Sequence, residues 1–274
     1  MNFRPPDHGP DDVGSRTRVL LLAAGLASVG LAALAWLSPT HTMPWPLAPL
    51  HAACFAALQA ASALPWLLAA RERDSAVLRI PLAQMLAGSG CTVLLVTLRS
   101  GELATLEPVA WAWLGMQAGL AVGAALWLGR QSDIQAPAER PDRALIVAAI
   151  LVGAASLLLA ADPAGVAGVW PWPLAPEPAR LYGGSGAGWA VLLAMSAHER
   201  RRDARRLAMW GLVALGGLVT LASWRHREAF HHLAAGLAWT TAFLALSTLA
   251  ALRLTRPGRA RWRARFRRAR PSDR

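Results

Sequence analysis

Pro44-Trp45-Pro46-Leu47-Ala48-Pro49 returns as Pro171-Trp172-Pro173-Leu174-Ala175-Pro176, an offset of 127 residues. The same offset carries Ala70-Arg71-Glu72-Arg73 onto Ala197-His198-Glu199-Arg200, Arg79 onto Arg206 and Gly90 onto Gly217. After a slip of one residue, Glu102 meets Glu228 and Trp113 meets Trp239. A fixed period of this kind marks an internal duplication. It divides the chain into a first repeat at 1–130, a second at 131–252 and a tail at 253–274.

Each copy of the Pro-Trp-Pro segment opens a long apolar run, and proline there costs no hydrogen bond because the first N–H groups of a helix are unsatisfied anyway. Eight such runs, near 19–37, 47–70, 79–98, 108–129, 144–161, 174–197, 206–224 and 233–252, approach the ~20 residues that cross a bilayer as helix. Of 274 residues 55% are hydrophobic and 16% charged, which is too apolar for a soluble domain of this size. The expected fold class is all-α: a polytopic membrane protein of about eight transmembrane helices, arranged as two four-helix repeats. A repeat with an even number of spans begins and ends on one side, so the two copies are parallel and related by an axis along the membrane normal.

All 28 basic residues are arginine. If both termini are cytoplasmic, 24 of the 28 fall on the inner side, leaving Arg99, Arg180, Arg225 and Arg227 outside. The predicted location is therefore the bacterial inner membrane, multi-pass, with N and C termini inside. Trp36, Trp45, Trp111, Trp113, Trp170, Trp172 and Trp224 gather at the outer interface, where amphipathic rings act as anchors. The tail from Arg253 to Arg274, with Trp262, Phe266 and Ala269 on one helical face, reads as an amphipathic helix on anionic inner-leaflet headgroups. Topology alone requires a basic tail, so nucleic acid is not the expected partner.

Trp170-Pro171-Trp172-Pro173-Leu174-Ala175-Pro176, followed by Ala179-Arg180 and Gly183-Gly184, resembles a helix-start motif of uncharacterised polytopic membrane proteins of high-GC bacteria, Pro-Trp-Pro-Leu-(Thr/Ala)-Pro. Ala175 stands where that motif has Thr. In the first copy Ala53 replaces the Arg, and Ala56-Ala57 replace the glycines. The resemblance implies a polytopic membrane fold and brings no activity with it.

Small residues recur at four-residue spacing, which places them on one helix face. They are Gly115, Gly119 and Gly123, then Gly184 and Gly188, then Ala53, Ala57 and Ala61. Such faces let backbones approach closely and read as packing surfaces, between spans two and six or in a homodimer. Gln59, Gln84 and Gln117 read as interhelical hydrogen bonders. Cys54 and Cys91 fall inside apolar runs and read as small hydrophobes.

The candidate ligand-binding residues are Arg180, Glu177, Tyr182, Trp45 and Trp172, gathered at the outer mouth by the two Pro-Trp-Pro loops. Arg180 lies three residues after Glu177, so an i,i+3 ion pair accounts for it, as does an anion or lipid headgroup at the helix N-terminus. His41, His51, His226, His231 and His232 all fall on the outer side, but no Cys, Asp or Glu joins them at ligand spacing, so no metal is expected. The spans contain no carboxylate or lysine relay, and the chain has no Gly-rich phosphate loop, no Ser-His-Asp order and no His-Glu-x-x-His helix. The expectation is a non-catalytic protein without cofactor that packs against a membrane partner or holds a lipid-like ligand. The alternative is a transporter or permease subunit with its site at the repeat interface.

Overall fold

The structure, a computed structural model, describes residues 10–37, 47–72, 75–98, 108–130, 141–199 and 201–255. The described residues form α1 (Pro10–Leu37), α2 (Pro49–Ala69), α3 (Arg79–Thr97), α4 (Pro108–Arg130), α5 (Arg143–Ala161), a short α6 (Pro163–Ala167), α7 (Pro176–His198), α8 (Arg202–Arg225) and α9 (Leu233–Thr255). There is no strand among them. Proline opens α2, α6 and α7 within their first two positions. Asp142 caps α5, its carboxylate accepting from the N–H groups of Ala144 and Leu145. Trp45 and the tail beyond Thr255 lie outside the described residues.

Seven of these helices are long and apolar enough to cross a membrane: α1 from Ser15, α2, α3, α4 from Trp111, α5, α8 and α9. The exception among the long helices is α7, whose 23 residues equal α4 and α9 in length. Its sequence includes Gly183-Gly184-Ser185-Gly186-Ala187-Gly188, which trades apolar bulk for close approach. A Cβ at Gly188 would lie 2.8 Å from the carbonyl oxygen of Gln84 and 3.0 Å from Cα of Gly88, both on α3. A Cβ at Gly183 would lie 2.9 Å from the Ser156 carbonyl oxygen on α5. Two glycine faces thus wedge α7 between α3 and α5, where Leu181, Trp189, Leu192 and Leu193 are fully buried.

The helix pairings resolve into two layers. One runs α4, α3, α7, α5 and the other α1, α2, α8, α9, each helix packing on the next in its row. Spans two and six, α2 and α7, therefore lie in different layers and touch only briefly. Gly184 and Gly188 face Thr92 and Gly88 of α3, not the Ala57 and Ala61 face of α2. Gly115 and Gly119 turn outward, with no atom within 4 Å of an added Cβ, while Gly123 meets the side chain of Leu20 on α1. That contact closes one edge of the sandwich. At the other edge α5 and α9 are barely in contact, and they are tied at one end by Arg253 and Asp142 at 3.2 Å.

Candidate functional site

The third residue of α2 organises the end of the bundle opposite the Asp142–Arg253 tie. His51 is 4% exposed, and its Nε2 lies 2.8 Å from the carbonyl oxygen of Pro173. A carbonyl only accepts, so Nε2 carries the proton and donates. Nδ1 is then free to accept, and it receives the indole N–H of Trp172 at 3.2 Å, with the Tyr182 hydroxyl 3.0 Å away. That hydroxyl also lies 3.4 Å from the His51 carbonyl oxygen. Both ring nitrogens are committed, which makes the imidazole a neutral pin with no lone pair left for a metal or a substrate proton.

Through this pin the loop before α7 is fixed, and with it a cluster of rings. Trp170, Trp172 and Trp239 stand at mutual centroid separations of 5.4, 5.0 and 5.2 Å. Tyr182 stacks on Trp170 at 5.9 Å, Phe230 meets Trp172 edge-on at 5.4 Å, and Phe243 lies 4.7 Å from Trp239. The backbone N–H of His231 donates to the Pro171 carbonyl oxygen at 3.0 Å, joining the α8–α9 loop to the same cap.

Beneath the cap lies a cavity of about 230 Å³ between the layers. Its walls come from α2, α5, α7, α8 and α9, and none of the described lining residues is charged. It runs along α7 from Tyr182 to Leu193, about 16 Å of helix. Ala155, exposed on α5, is among the lining residues, so the cavity reaches the protein surface along the open α5–α9 seam.

A second, smaller cavity of about 30 Å³ lies between α2, α3, α4 and α7. Its chemistry is opposite, with Gln59, Gln84, Gln117, Ser62, Thr92 and Ser185 among its walls. Among the described residues only Gln84 of the three glutamines bonds a side chain, accepting from the Trp66 indole N–H at 3.1 Å.

Of the residues singled out in the sequence, Tyr182 and Trp172 are brought together and line the larger cavity. Trp172 is 1% exposed, so it is a core ring and not an interfacial anchor. Arg180 and Glu177 stand in the opening turns of α7 without forming the i,i+3 pair, and Arg180 Nε is buried without a hydrogen-bond partner among the described residues. His51, Trp170 and Trp239 were not among the candidates. The signal for His51 was present in the sequence: an imidazole inside an apolar run must be paired, and Trp172 and Tyr182 offered the partners.

Near the same end of the bundle, Trp36, Leu221, Trp224, Arg225 and Arg227 form a shallow hollow, with Arg225 5.8 Å over the Trp36 ring. Partial burial, aided by Arg225, holds His226 below the ordinary histidine range. Comparison with protein families, with curated proteins and with solved structures finds no match to this chain.

Proposed function

We propose that this chain is a non-catalytic integral membrane protein that holds a lipid-like ligand in the cavity between α5, α7, α8 and α9. The observation that carries the reading is the cavity itself: apolar, aromatic-capped, free of charge and open along a seam between two membrane-length helices. Such a lining binds hydrocarbon and offers nothing for proton or phosphoryl chemistry. Tyr182 and Trp172 form its outer wall, with Trp45 of the first Pro-Trp-Pro loop as the counterpart of Trp172. In this reading Arg180 and Glu177, in the opening turns of α7, meet the headgroup.

In this reading α7 is the eighth span and the chain is two parallel four-helix repeats. The 127-residue offset supports it, because it carries α1, α2, α3 and α4 onto α5, α7, α8 and α9, and so exchanges one layer with the other. Both termini face the cytoplasm of a bacterial inner membrane, with Arg253 to Arg274 on the anionic inner leaflet. The outward face of Gly115 and Gly119 is available to a membrane partner or a second copy.

Mild-detergent purification followed by mass spectrometry of the bound lipid tests the function. A stoichiometric lipid supports it, and a lipid-free protein overturns it. Reporter fusions at residues 75 and 203 test the topology, and an outer signal at either ends this arrangement. A permease subunit is the second reading. It draws on the polar cavity inside the bundle, and solute flux in proteoliposomes would favour it.

A further inference from the structure

Four tryptophans line the larger cavity, and they differ in what their N–H groups do. Trp172 donates to His51, but Trp170, Trp189 and Trp239 have buried N–H groups with no acceptor among the described residues. The far edge of the Trp189 ring packs beside Gly211 of α8, where an added Cβ would lie 2.9 Å from the ring and 3.0 Å from Pro65 of α2. Hydrocarbon supplies no water to such donors, and buried donors are rarely left unmade. Trp113, a further unpartnered indole, packs near Phe55 and does not line this cavity.

We infer that the cavity takes a neutral, carbonyl-bearing lipid whose carbonyl oxygens are received by the indole N–H groups of Trp170, Trp189 and Trp239. This rests on the lipid-binding reading and narrows it. An alkane offers these donors nothing, and an ammonium group has no lone pair to accept from them. A carboxylate or phosphate would enter a pocket with no cation on its walls. An ester or quinone carbonyl satisfies the donors without importing charge. Each N–H is shielded by neighbouring atoms, so the carbonyl reaches it through a small turn of the ring about Cβ–Cγ. At about 230 Å³ the cavity falls short of the ~300–1,000 Å³ of a drug-sized pocket. It therefore seats a ring or the ester end of a lipid, with the remaining chain lying in the α5–α9 seam.

The test uses the full chain in bilayers of a diether phosphatidylcholine, which has no carbonyl. Three radiolabelled probes are titrated: 1,2-dioctanoylglycerol, the matching dioctyl ether, and a benzoquinone with a two-isoprene tail. The ester or the quinone binds at least about 10-fold more tightly than the ether, and whichever binds better identifies the source of the carbonyl. Replacing Trp170→Phe, Trp189→Phe and Trp239→Phe together keeps the rings and removes the donors. It lowers carbonyl-probe affinity by about 10-fold or more and leaves the ether unchanged. Each single variant, folded by its melting curve, loses about 2- to 12-fold. Equal affinity for ester and ether, or an unaltered ratio in the variants, overturns the carbonyl assignment while lipid binding stands. No saturable binding of any probe overturns both.

Discussion

The two cavities are lined at positions related by the 127-residue offset and have opposite interiors. The 127-residue offset carries Gln59, Ser62, Trp66, Met85, Gly88 and Thr92 of the small cavity onto Gly186, Trp189, Leu193, Leu212, Leu215 and Val219 of the large one. With the one-residue slip, Gln117 falls on Phe243. Ser62, Thr92 and Gln117 of the small cavity thus stand where the large one has a ring or an aliphatic chain, and Gln59 stands where it has Gly186. The edges differ likewise: α1 and α4 meet through Gly123 and Leu20, while α5 and α9 leave a seam. A cavity forms at both sets of related positions, and the side chains decide what each cavity accepts.

The strongest way to break this contrast is to remove the cap of the apolar cavity. Trp172 is 1% exposed and touches His51, Trp170, Trp239 and Phe230. Trp172→Ala leaves a void and takes away one donor to His51, so a loss of about 3–5 kcal/mol is expected. Thermal melting in detergent reads it, and a melting temperature within a degree or two of the native chain would show that the cap is not part of the core.

Gly188→Ala probes the wall that α7 and α3 share beside the polar cavity. The new Cβ would press on backbone atoms of Gln84 and Gly88, which cannot swing aside as a side chain can. Overpacking of this kind costs about 1–3 kcal/mol. The same melting assay should place it below the native chain, and an unchanged midpoint would mean that α3 and α7 separate freely.

These two sites also mark how far the sequence could be read. All eight long helices were legible from run length, and the two Pro-Trp-Pro copies correctly marked chain entry into α2 and α7, where proline at the first turn is tolerated. The pairing of helices was not legible. Four-residue spacing identifies a small-residue face without naming its neighbour, so Gly184 and Gly188 gave no sign of facing α3, nor Gly115 and Gly119 of facing away. The site was half legible. Tyr182 and Trp172 stood out as polar-tipped rings, whereas Trp170 and Trp239 join them only because the α8–α9 loop folds back onto Pro171. Arg180 drew attention through its charge, and charge said nothing about the uncharged cavity that begins at Tyr182, two residues further along α7.

Asp142 tests the closed end of the α5–α9 seam. Its carboxylate caps α5 through Ala144 and Leu145 and meets Arg253 of α9, while its own N–H donates to the Ala197 carbonyl oxygen of α7. Asp142→Ala keeps the last bond and loses the cap and the ion pair. The cap is worth ~1 kcal/mol and a surface pair ~0–1 kcal/mol, so about 1–2 kcal/mol is expected. Arg253→Ala alone should cost less than half of that. If the two variants destabilise equally, the ion pair and not the cap carries the effect.

The smallest change expected is at Gly119, which separates the two glycine faces by experiment. Nothing lies within 4 Å of an added Cβ there, and the residue sits mid-helix in α4. Alanine is a better helix former than glycine by ~0.8–1 kcal/mol in water, because glycine gives up more backbone entropy on folding. A bilayer already favours helix, so Gly119→Ala should raise the melting midpoint of the isolated chain only slightly. Gly188→Ala, one methyl group on a glycine of the same spacing, should lower it. If Gly119→Ala instead destabilises the protein in the native membrane while leaving the detergent-purified monomer unharmed, the outward face of α4 is covered there by a second copy or another span, and its glycines serve close approach between chains, not within one.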